Sequence, residues 1–182
     1  NARPLLIDPG VGEYTSATFS AKRYEIWTMQ SAYHNLPQIN GFDQHEGTNY
    51  HATKVQYEPF SLAMDIASAY PKEAKVKSWK RSLSLKRGDF IEINEHYQLD
   101  KWMQPQRIML LTPVQPVMIR RGVLQLGENQ LLYPHQQVIV KIEDISSKMD
   151  SLLHKVWGDN LYRIVMTIDS KQLTNNIKYT LK

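Results

Sequence analysis

Residues 76–97 read VKSWKRSLSLKRGDFIEINEHY, and they contain two runs in which apolar and polar side chains alternate. Alternation with period two is typical of strands that bury one face. The residues between the runs, 86–89, include Gly88, which accepts the positive φ of a tight turn. The stretch therefore predicts an antiparallel hairpin, with Trp79 in the core.

The same pattern recurs along the chain. Alternating or apolar runs, separated by turns rich in Gly and Pro, predict further strands at 60–66, 107–111, 117–120, 123–126, 137–143, 161–167 and 177–181. Many short strands without a long amphipathic helix favour packed antiparallel sheets. The sequence therefore predicts an all-β fold, a multi-stranded antiparallel β-sandwich of the supersandwich type, as one domain over residues 1–182.

Two segments depart from this pattern. Residues 145–157 place Ile145, Met149 and Leu153 at helical spacing, and Gly158 follows as a stop signal. This predicts one short helical segment packed on the sandwich, with Trp157 as its anchor. The first 35 residues alternate less regularly, and we expect them to mix short strands with loops.

Composition narrows the possible functions. The net charge is +4 and the chain has no cysteine, which excludes disulfides, thiolate metal sites and a cysteine nucleophile. No run of eighteen apolar residues occurs, so we predict no membrane span. An RNA-binding aromatic signature is also missing, and we predict no nucleic-acid partner.

Positive charge is concentrated in residues 72–87. This stretch contains Lys75, Lys77, Lys80, Arg81 and Lys86. The favoured interpretation is the solvated face of a strand pair. The other is a surface that attracts an acidic polymer, and the stretch alone does not choose between a polysaccharide and a nucleic acid.

Asp8 and His34 carry the sharpest chemical hypotheses. His34 could hydrogen-bond a backbone group, transfer protons, or bind zinc together with Asp8. Asp8, which precedes Pro and Gly, could equally be a simple turn residue. Asn35 could orient the His34 ring or a substrate carboxylate, which Arg23 could grip in a bidentate fork.

Two motifs in order carry a family resemblance. LLIDPGVGEY at 5–14 and AYHNLPQING at 32–41, with Arg23 and Gln44 nearby, resemble the heparinase II/III-like polysaccharide lyase family. The strand-rich remainder is similar to the C-terminal sandwich of such lyases. The resemblance implies a parent enzyme with an (α/α) toroid before the sandwich, and that toroid would be the missing partner of this chain.

The resemblance also implies a reaction. Members of the family cleave uronic-acid-containing glycans, such as heparin and heparan sulfate, by β-elimination. Their principal catalytic residues lie on the toroid or at the start of the sandwich, so the catalytic residues of this chain remain unknown. We therefore expect an acidic polysaccharide substrate for the parent, an inactive isolated fragment, and a periplasmic or secreted location.

The metal and substrate residues follow from the same resemblance. Relatives hold a structural divalent metal, typically zinc, through the aspartate of the Asp-Pro-Gly turn and the histidine of the His-Asn pair. These match Asp8 and His34, and the family's first ligand has no counterpart here. Asn35, Arg23 and Gln44 are predicted to bind substrate. The alternative function is a non-catalytic carbohydrate-binding or purely structural β-sandwich.

Overall fold

The computed structural model describes residues 4–182, which form twelve strands, one α-helix and seven short 3-10 turns. The predicted domain range also includes residues 1–3, which lie outside the described part. The strands and the helix are β1 Pro37–Gln38, β2 Thr53–Glu58, β3 Ser61–Asp65, β4 Val76–Lys86, β5 Phe90–Leu99, β6 Gln106–Thr112, β7 Pro116–Arg120, β8 Val123–Leu126, β9 Asn129–Leu132, β10 Ile139–Asp144, α1 Ser151–Trp157, β11 Tyr162–Ile168 and β12 Thr174–Leu181.

The strands form two antiparallel sheets, so the predicted all-β sandwich is confirmed. The small sheet has the order β1-β6-β11-β10, and the large sheet has the order β2-β3-β4-β5-β12-β9-β8-β7. Strand β12 lies between β5 and β9. It therefore joins the strands β2 to β5 to the strands β7 to β9.

The hairpin predicted from residues 76–97 forms the centre of the large sheet. Trp79 pairs with Tyr97, and Leu83 pairs with Ile93, on the face that meets the small sheet. Trp79 and Tyr97 are fully buried and their rings stack with centroids 4.8 Å apart. Gly88 takes a φ of 74° in the turn, as the sequence predicted.

The same alternation corrects the solvated-face interpretation for one residue. Lys80 is exposed, but Arg81 points inward, and its side chain is only 12% exposed. Its guanidinium pairs with the fully buried Glu95 at 2.6 Å, and Glu95 also accepts hydrogen bonds from Trp79 Nε1 at 2.6 Å and the Tyr179 hydroxyl at 3.1 Å. Burial opposes the charge on Arg81, but attraction to Glu95 outweighs it and raises the pKa of the guanidinium.

Residues 4–36 do not contain the short strands that the sequence predicted for the N-terminal segment. Between residues 4 and 36 the backbone instead forms four 3-10 turns, at Ser16–Phe19, Arg23–Glu25, Trp27–Met29 and Ser31–Tyr33. Each turn closes with a local backbone bond, as in Gln30 N–H to Trp27 O at 3.1 Å. Without alternation, a strand in this segment would have no continuous apolar face to bury. Local backbone hydrogen bonds within 3-10 turns therefore replace the hydrogen bonds of a β-ladder.

A second apolar cluster joins this segment and α1 to the small sheet. Its buried members are Ile7, Leu111, Ile145, Met149, Leu153 and Leu161. The predicted helical segment is split into a 3-10 turn, Ser146–Lys148, and α1, because Met149 has an extended backbone with ψ of 134°. Trp157 Nε1 donates to Pro9 O at 3.0 Å, which confirms Trp157 as an anchor. Among residues 4–182, no helix is both long and apolar enough to cross a membrane.

Candidate functional site

Asp8 and His34 meet at the edge of the small sheet. Asp8 Oδ2 lies 2.6 Å from His34 Nδ1, and Asp8 Oδ1 accepts a hydrogen bond from Gly10 N at 3.2 Å. The Asp8 side chain is 65% exposed, whereas the His34 side chain is 23% exposed. The two residues are 26 positions apart in sequence, so tertiary structure brings them together.

The second nitrogen of His34 is held by the backbone. His34 Nε2 lies 3.0 Å from Thr28 O, and Thr28 Oγ1 donates to Val11 O at 2.9 Å. A carbonyl oxygen only accepts, so Nε2 carries a proton in this arrangement. The ring is thus oriented with its Nδ1 towards the Asp8 carboxylate.

Asn35 locks the N-terminal segment onto β6. Its Nδ2 donates to Ile7 O at 2.9 Å, and its Oδ1 accepts from Leu111 N at 2.8 Å. Ile7 N in turn donates to Leu111 O at 3.0 Å. The carboxamide therefore bridges two backbone segments beside His34, while its predicted contact with substrate stays a prediction.

Arg81 connects this edge with the buried core. Its Nη1 donates to Asn35 O at 2.6 Å, while its Nε donates to Glu95 Oε1 at 2.7 Å. The sequence analysis did not predict this link, because lysines surround Arg81 and suggested a solvated face. The backbone next to His34 is consequently fixed by a charge-assisted hydrogen bond from the sandwich interior.

The donor types of Asp8 and His34 suit a zinc ion. Two ligands of one tetrahedral zinc lie about 3.3 Å apart, because each bond is about 2.0–2.2 Å long. Separating Asp8 Oδ2 and His34 Nδ1 from 2.6 Å to that spacing needs a shift of less than about 1 Å. The bond from Nε2 to the Thr28 carbonyl matches the outer support that metal-bound imidazoles usually have.

The number of donors is smaller than a closed zinc site needs. A structural zinc takes four ligands. Within residues 4–182, no group of three or more His, Cys, Asp or Glu side chains is arranged to hold a metal. Asp8 and His34 thus supply two donors, and further ligands have to come from elsewhere.

A shallow depression of about 270 Å³ opens beside His34. Its lining includes Tyr24, Ser31, His34, Gln44 and His45. The structure therefore brings Gln44 close to His34, whereas Arg23 is exposed and does not belong to this lining. The Thr28 carbonyl could not be found from sequence, because a backbone oxygen leaves no residue signature. Ser31 was not predicted either.

Tyr70 is a buried phenol near the start of β1. Its hydroxyl donates a hydrogen bond to Pro37 O. Burial raises the pKa of Tyr70 well above its ordinary value. The phenol is therefore neutral, and its role here is to hold the start of β1.

The outer face of the small sheet adds positive charge next to this site. Arg163 donates to Ala32 O at 3.0 Å, pairs with Glu143 at 2.6 Å and lies 4.5 Å from the centre of the Tyr33 ring. Burial opposes ionisation of Glu143, but hydrogen bonds from Lys141 and Arg163 hold its pKa below the usual value. Glu143 is therefore ionised and neutralises part of the positive charge.

Comparison with known proteins identifies the fold. No protein-family model matches the chain, and no curated protein matches it. Among solved structures, a mutant of heparan sulfate lyase HepC from Pedobacter heparinus superposes with a TM-score of 0.68 at 11% identity, covering 98% of this chain. A heparinase III gene product gives 0.64 at 14% identity over 97% of this chain, and a further heparinase III gives 0.59 at 13% over 98%.

The chain shares its fold with part of these lyases. It spans 28% of the length of the first and 27% of each of the other two. At such low identity the likeness shows the fold alone. The Asp8–His34 contact is a separate observation, made on the chain itself.

Proposed function

We propose that this chain is the sandwich part of a polysaccharide lyase that cleaves uronic-acid-containing glycans, of the heparan sulfate kind, by β-elimination. The likeness to heparan sulfate lyases over 98% of the chain carries the proposal. The meeting of Asp8 and His34, the two residues singled out by the motif resemblance, supports it. A polymeric substrate of this class fits a periplasmic or secreted enzyme.

The chemistry of this reaction sets what the whole enzyme must provide. A base removes the proton from C5, the C4–O bond breaks, and a C4=C5 double bond forms while the departing oxygen receives a proton. Charge developing on the uronate carboxylate must be stabilised by hydrogen bonds or cations. No residue of this chain is assigned as the base or the acid.

In this proposal Asp8 and His34 have a structural role. Together with ligands outside the described residues, they hold a zinc ion. The ion crosslinks the turn at Asp8 to the backbone at His34. Asn35 and Arg81 hold the backbone at His34 from the other side. Gln44 and Arg23 are proposed to contact the substrate at the rim.

Turnover of acidic glycans tests the lyase proposal. The isolated chain and a longer protein that contains it are incubated with heparan sulfate, hyaluronan and alginate, and the ultraviolet absorbance of the unsaturated product is followed. We expect turnover of heparan sulfate by the longer protein and none by the isolated chain. Rapid turnover by the chain alone would contradict the view that the catalytic groups lie elsewhere.

Zinc content tests the metal proposal independently of activity. The longer protein, its Asp8→Ala variant and an Asp159→Ala control are dialysed against zinc and then analysed for bound metal and thermal unfolding. We expect Asp8→Ala alone to lose zinc and the zinc-dependent rise in the unfolding temperature, because it removes a ligand. Equal zinc content in all three proteins would overturn the ligand assignment.

The alternative is a non-catalytic carbohydrate-binding or structural sandwich. One observation favours this alternative: the N-terminal segment has exposed aromatic side chains. Tyr14 and Phe19 stack there, with ring centroids 5.6 Å apart. This alternative requires that the longer protein turns over no glycan at all, so the turnover assay separates the two functions.

A further inference from the structure

A groove of about 420 Å³ runs across the face of the large sheet that points away from the small sheet. We call it the outer groove. The lining residues that matter here are Lys54, Lys80, Ser82, Asn94, His96 and Asn176. They come from β2, β4, β5 and β12 of the large sheet.

Strand register places five of these six side chains, all except Lys54, next to one another on one face of the sheet. Lys80 pairs with His96, Ser82 pairs with Asn94, and His96 pairs on its other side with Asn176. Directly paired residues project to the same face of a sheet. Trp79, the residue before Lys80 on β4, points to the core instead. These five side chains therefore lie on the outer face of the large sheet.

Two lysines supply positive charge to the outer groove, and one of them lies close to an acid. Lys80 forms no ion pair with any of residues 4–182. Lys54, whose side chain is 74% exposed, lies 3.9 Å from Asp65 Oδ2. Asp65 is buried, and its Oδ1 accepts backbone hydrogen bonds from Trp79 at 3.0 Å and Ala67 at 3.1 Å, so this acid is structural.

The groove also offers neutral groups that recognise hydroxyls. Asn94 Oδ1 is buried, and it accepts no hydrogen bond from any group in residues 4–182. A buried acceptor without a donor is costly, and a ligand hydroxyl that displaces the covering side chains removes that cost. Asn176, Ser82 and His96 lie beside it with both donor and acceptor capacity.

We propose that the outer groove binds a segment of an acidic polysaccharide. The ammonium groups of Lys54 and Lys80 take its carboxylate or sulfate groups, and the Asn94 and Asn176 side chains take its hydroxyls. The lining contains no Phe, Tyr or Trp, which suits a hydroxylated anion rather than a single-stranded nucleic acid that needs large stacking platforms.

This site is separate from the Asp8–His34 pair. That pair lies in the segment that packs on the small sheet, whereas the outer groove occupies the far face of the large sheet. The groove therefore holds the polymer away from the proposed metal. The inference does not depend on the lyase proposal, because binding is measured without turnover.

Calorimetric titration of the 182-residue chain with a heparan sulfate oligosaccharide of defined length tests the inference. The variant Lys54→Met/Lys80→Met keeps the apolar stems and removes the two groove charges. The control Lys72→Met/Lys77→Met removes two exposed charges outside the groove. We expect about tenfold weaker binding for the groove variant and less than about twofold for the control.

A second variant and two other ligands make the test decisive. Asn94→Asp, checked for an unchanged circular dichroism spectrum, places a like charge in the groove and is expected to weaken binding about tenfold. The proposal would be overturned if both lysine double variants lost the same affinity, or if the wild-type chain did not bind the oligosaccharide. Equal affinity for polyglutamate, or for an oligonucleotide of matched charge, would also overturn it.

Discussion

At the scale of single residues, Asn35 shows how one side chain can organise the backbone of a site. Its donor and its acceptor are both used on backbone groups, one in the N-terminal segment and one in β6. Leu111, whose N–H is one of these partners, is fully buried. Loss of the carboxamide therefore leaves a buried donor without a partner.

Asn35→Ala is expected to lower the free energy of unfolding by about 2–4 kcal/mol, measured by urea denaturation. Asn35→Asp keeps the acceptor for Leu111 N but sets a carboxylate oxygen against Ile7 O, so it should also destabilise the protein. Asn129→Ala, an exposed control on β9, should change stability by less than about 0.5 kcal/mol. Equal effects at positions 35 and 129 would refute the bridging role.

Asp43 predicts a pH dependence. Burial raises the pKa of its carboxyl above the ordinary value near 3.8, and the Gln38 hydrogen bond and Arg163 offset this only in part. The folded state then keeps a proton that the unfolded chain has lost, so stability falls as pH rises from about 4 upwards. Asp43→Asn should remove this fall, and its stability relative to wild type should increase with pH.

Asp144 supplies a comparison of opposite sign for that titration. Hydrogen bonds from the Ser146 side chain and backbone lower the pKa of Asp144. Its stabilising effect is present above the unfolded pKa and is lost as pH falls. Relative to wild type, Asp144→Asn should therefore lose stability as pH rises. Urea denaturation of both variants between about pH 2 and pH 7 checks the two directions, since the Asp144 effect changes below about pH 4 and the Asp43 effect above it.

At the scale of elements, α1 depends on one carboxylate that serves two segments. Asp150 Oδ1 accepts from Leu153 N at 2.9 Å and caps the helix, while Oδ2 accepts from Glu13 N at 2.7 Å. Gly12 lies against this carboxylate with a φ of 73°. A Cβ at Gly12 would come within 2.4 Å of Asp150 Oδ2.

Gly12→Ala is therefore expected to destabilise the protein more than Gly10→Ala does. Both positions have positive φ, near 73° and 79°, but a Cβ at Gly10 meets nothing within 4 Å. Gly10→Ala should cost about 1–2 kcal/mol, and Gly12→Ala about 1–2 kcal/mol more because the cap must move. Equal unfolding midpoints in thermal denaturation would show that the Asp150 contact carries no weight.

The elements that sequence predicted best are those with one buried face. Strands β4 and β5 alternate clearly, and their hairpin was located from residues 76–97. Strand β2 was missed because five of its six residues are exposed, so no alternation marks it. Strand β9 was missed because Asn129 reads as a turn residue.

The site was only partly open to prediction for a related reason. Asp8 and His34 were recognised through motif resemblance, and the structure brings them into contact. The inward direction of Arg81 follows from period-two alternation with Trp79, but the surrounding lysines concealed it. The Thr28 carbonyl that orients His34 belongs to the backbone, and its position depends on tertiary folding alone.

At the scale of the whole molecule, β12 determines whether the large sheet is one unit. Ile177 is fully buried on this strand, whereas its neighbour Lys178 is exposed and pairs with Glu92 at 3.1 Å. Ile177→Ala should cost about 2–5 kcal/mol, and the control Lys178→Ala less than about 1 kcal/mol.

Hydrogen exchange should reveal the bridging position directly. Since β12 pairs with β5 on one side and β9 on the other, Ile177→Ala should speed amide exchange in both neighbours. Faster exchange in β5 alone would show that the two parts of the large sheet open independently.

The place of β12 has a consequence for biosynthesis. The ribosome makes the strands from β2 to β5 and from β7 to β9 well before it makes β12, so two incomplete half-sheets with open edges exist while the chain grows. Unpaired strand edges invite association with other chains. A nascent chain stalled before Thr174 is accordingly expected to need chaperone protection. This need should end once the eight residues of β12 have left the ribosome and paired with β5 and β9.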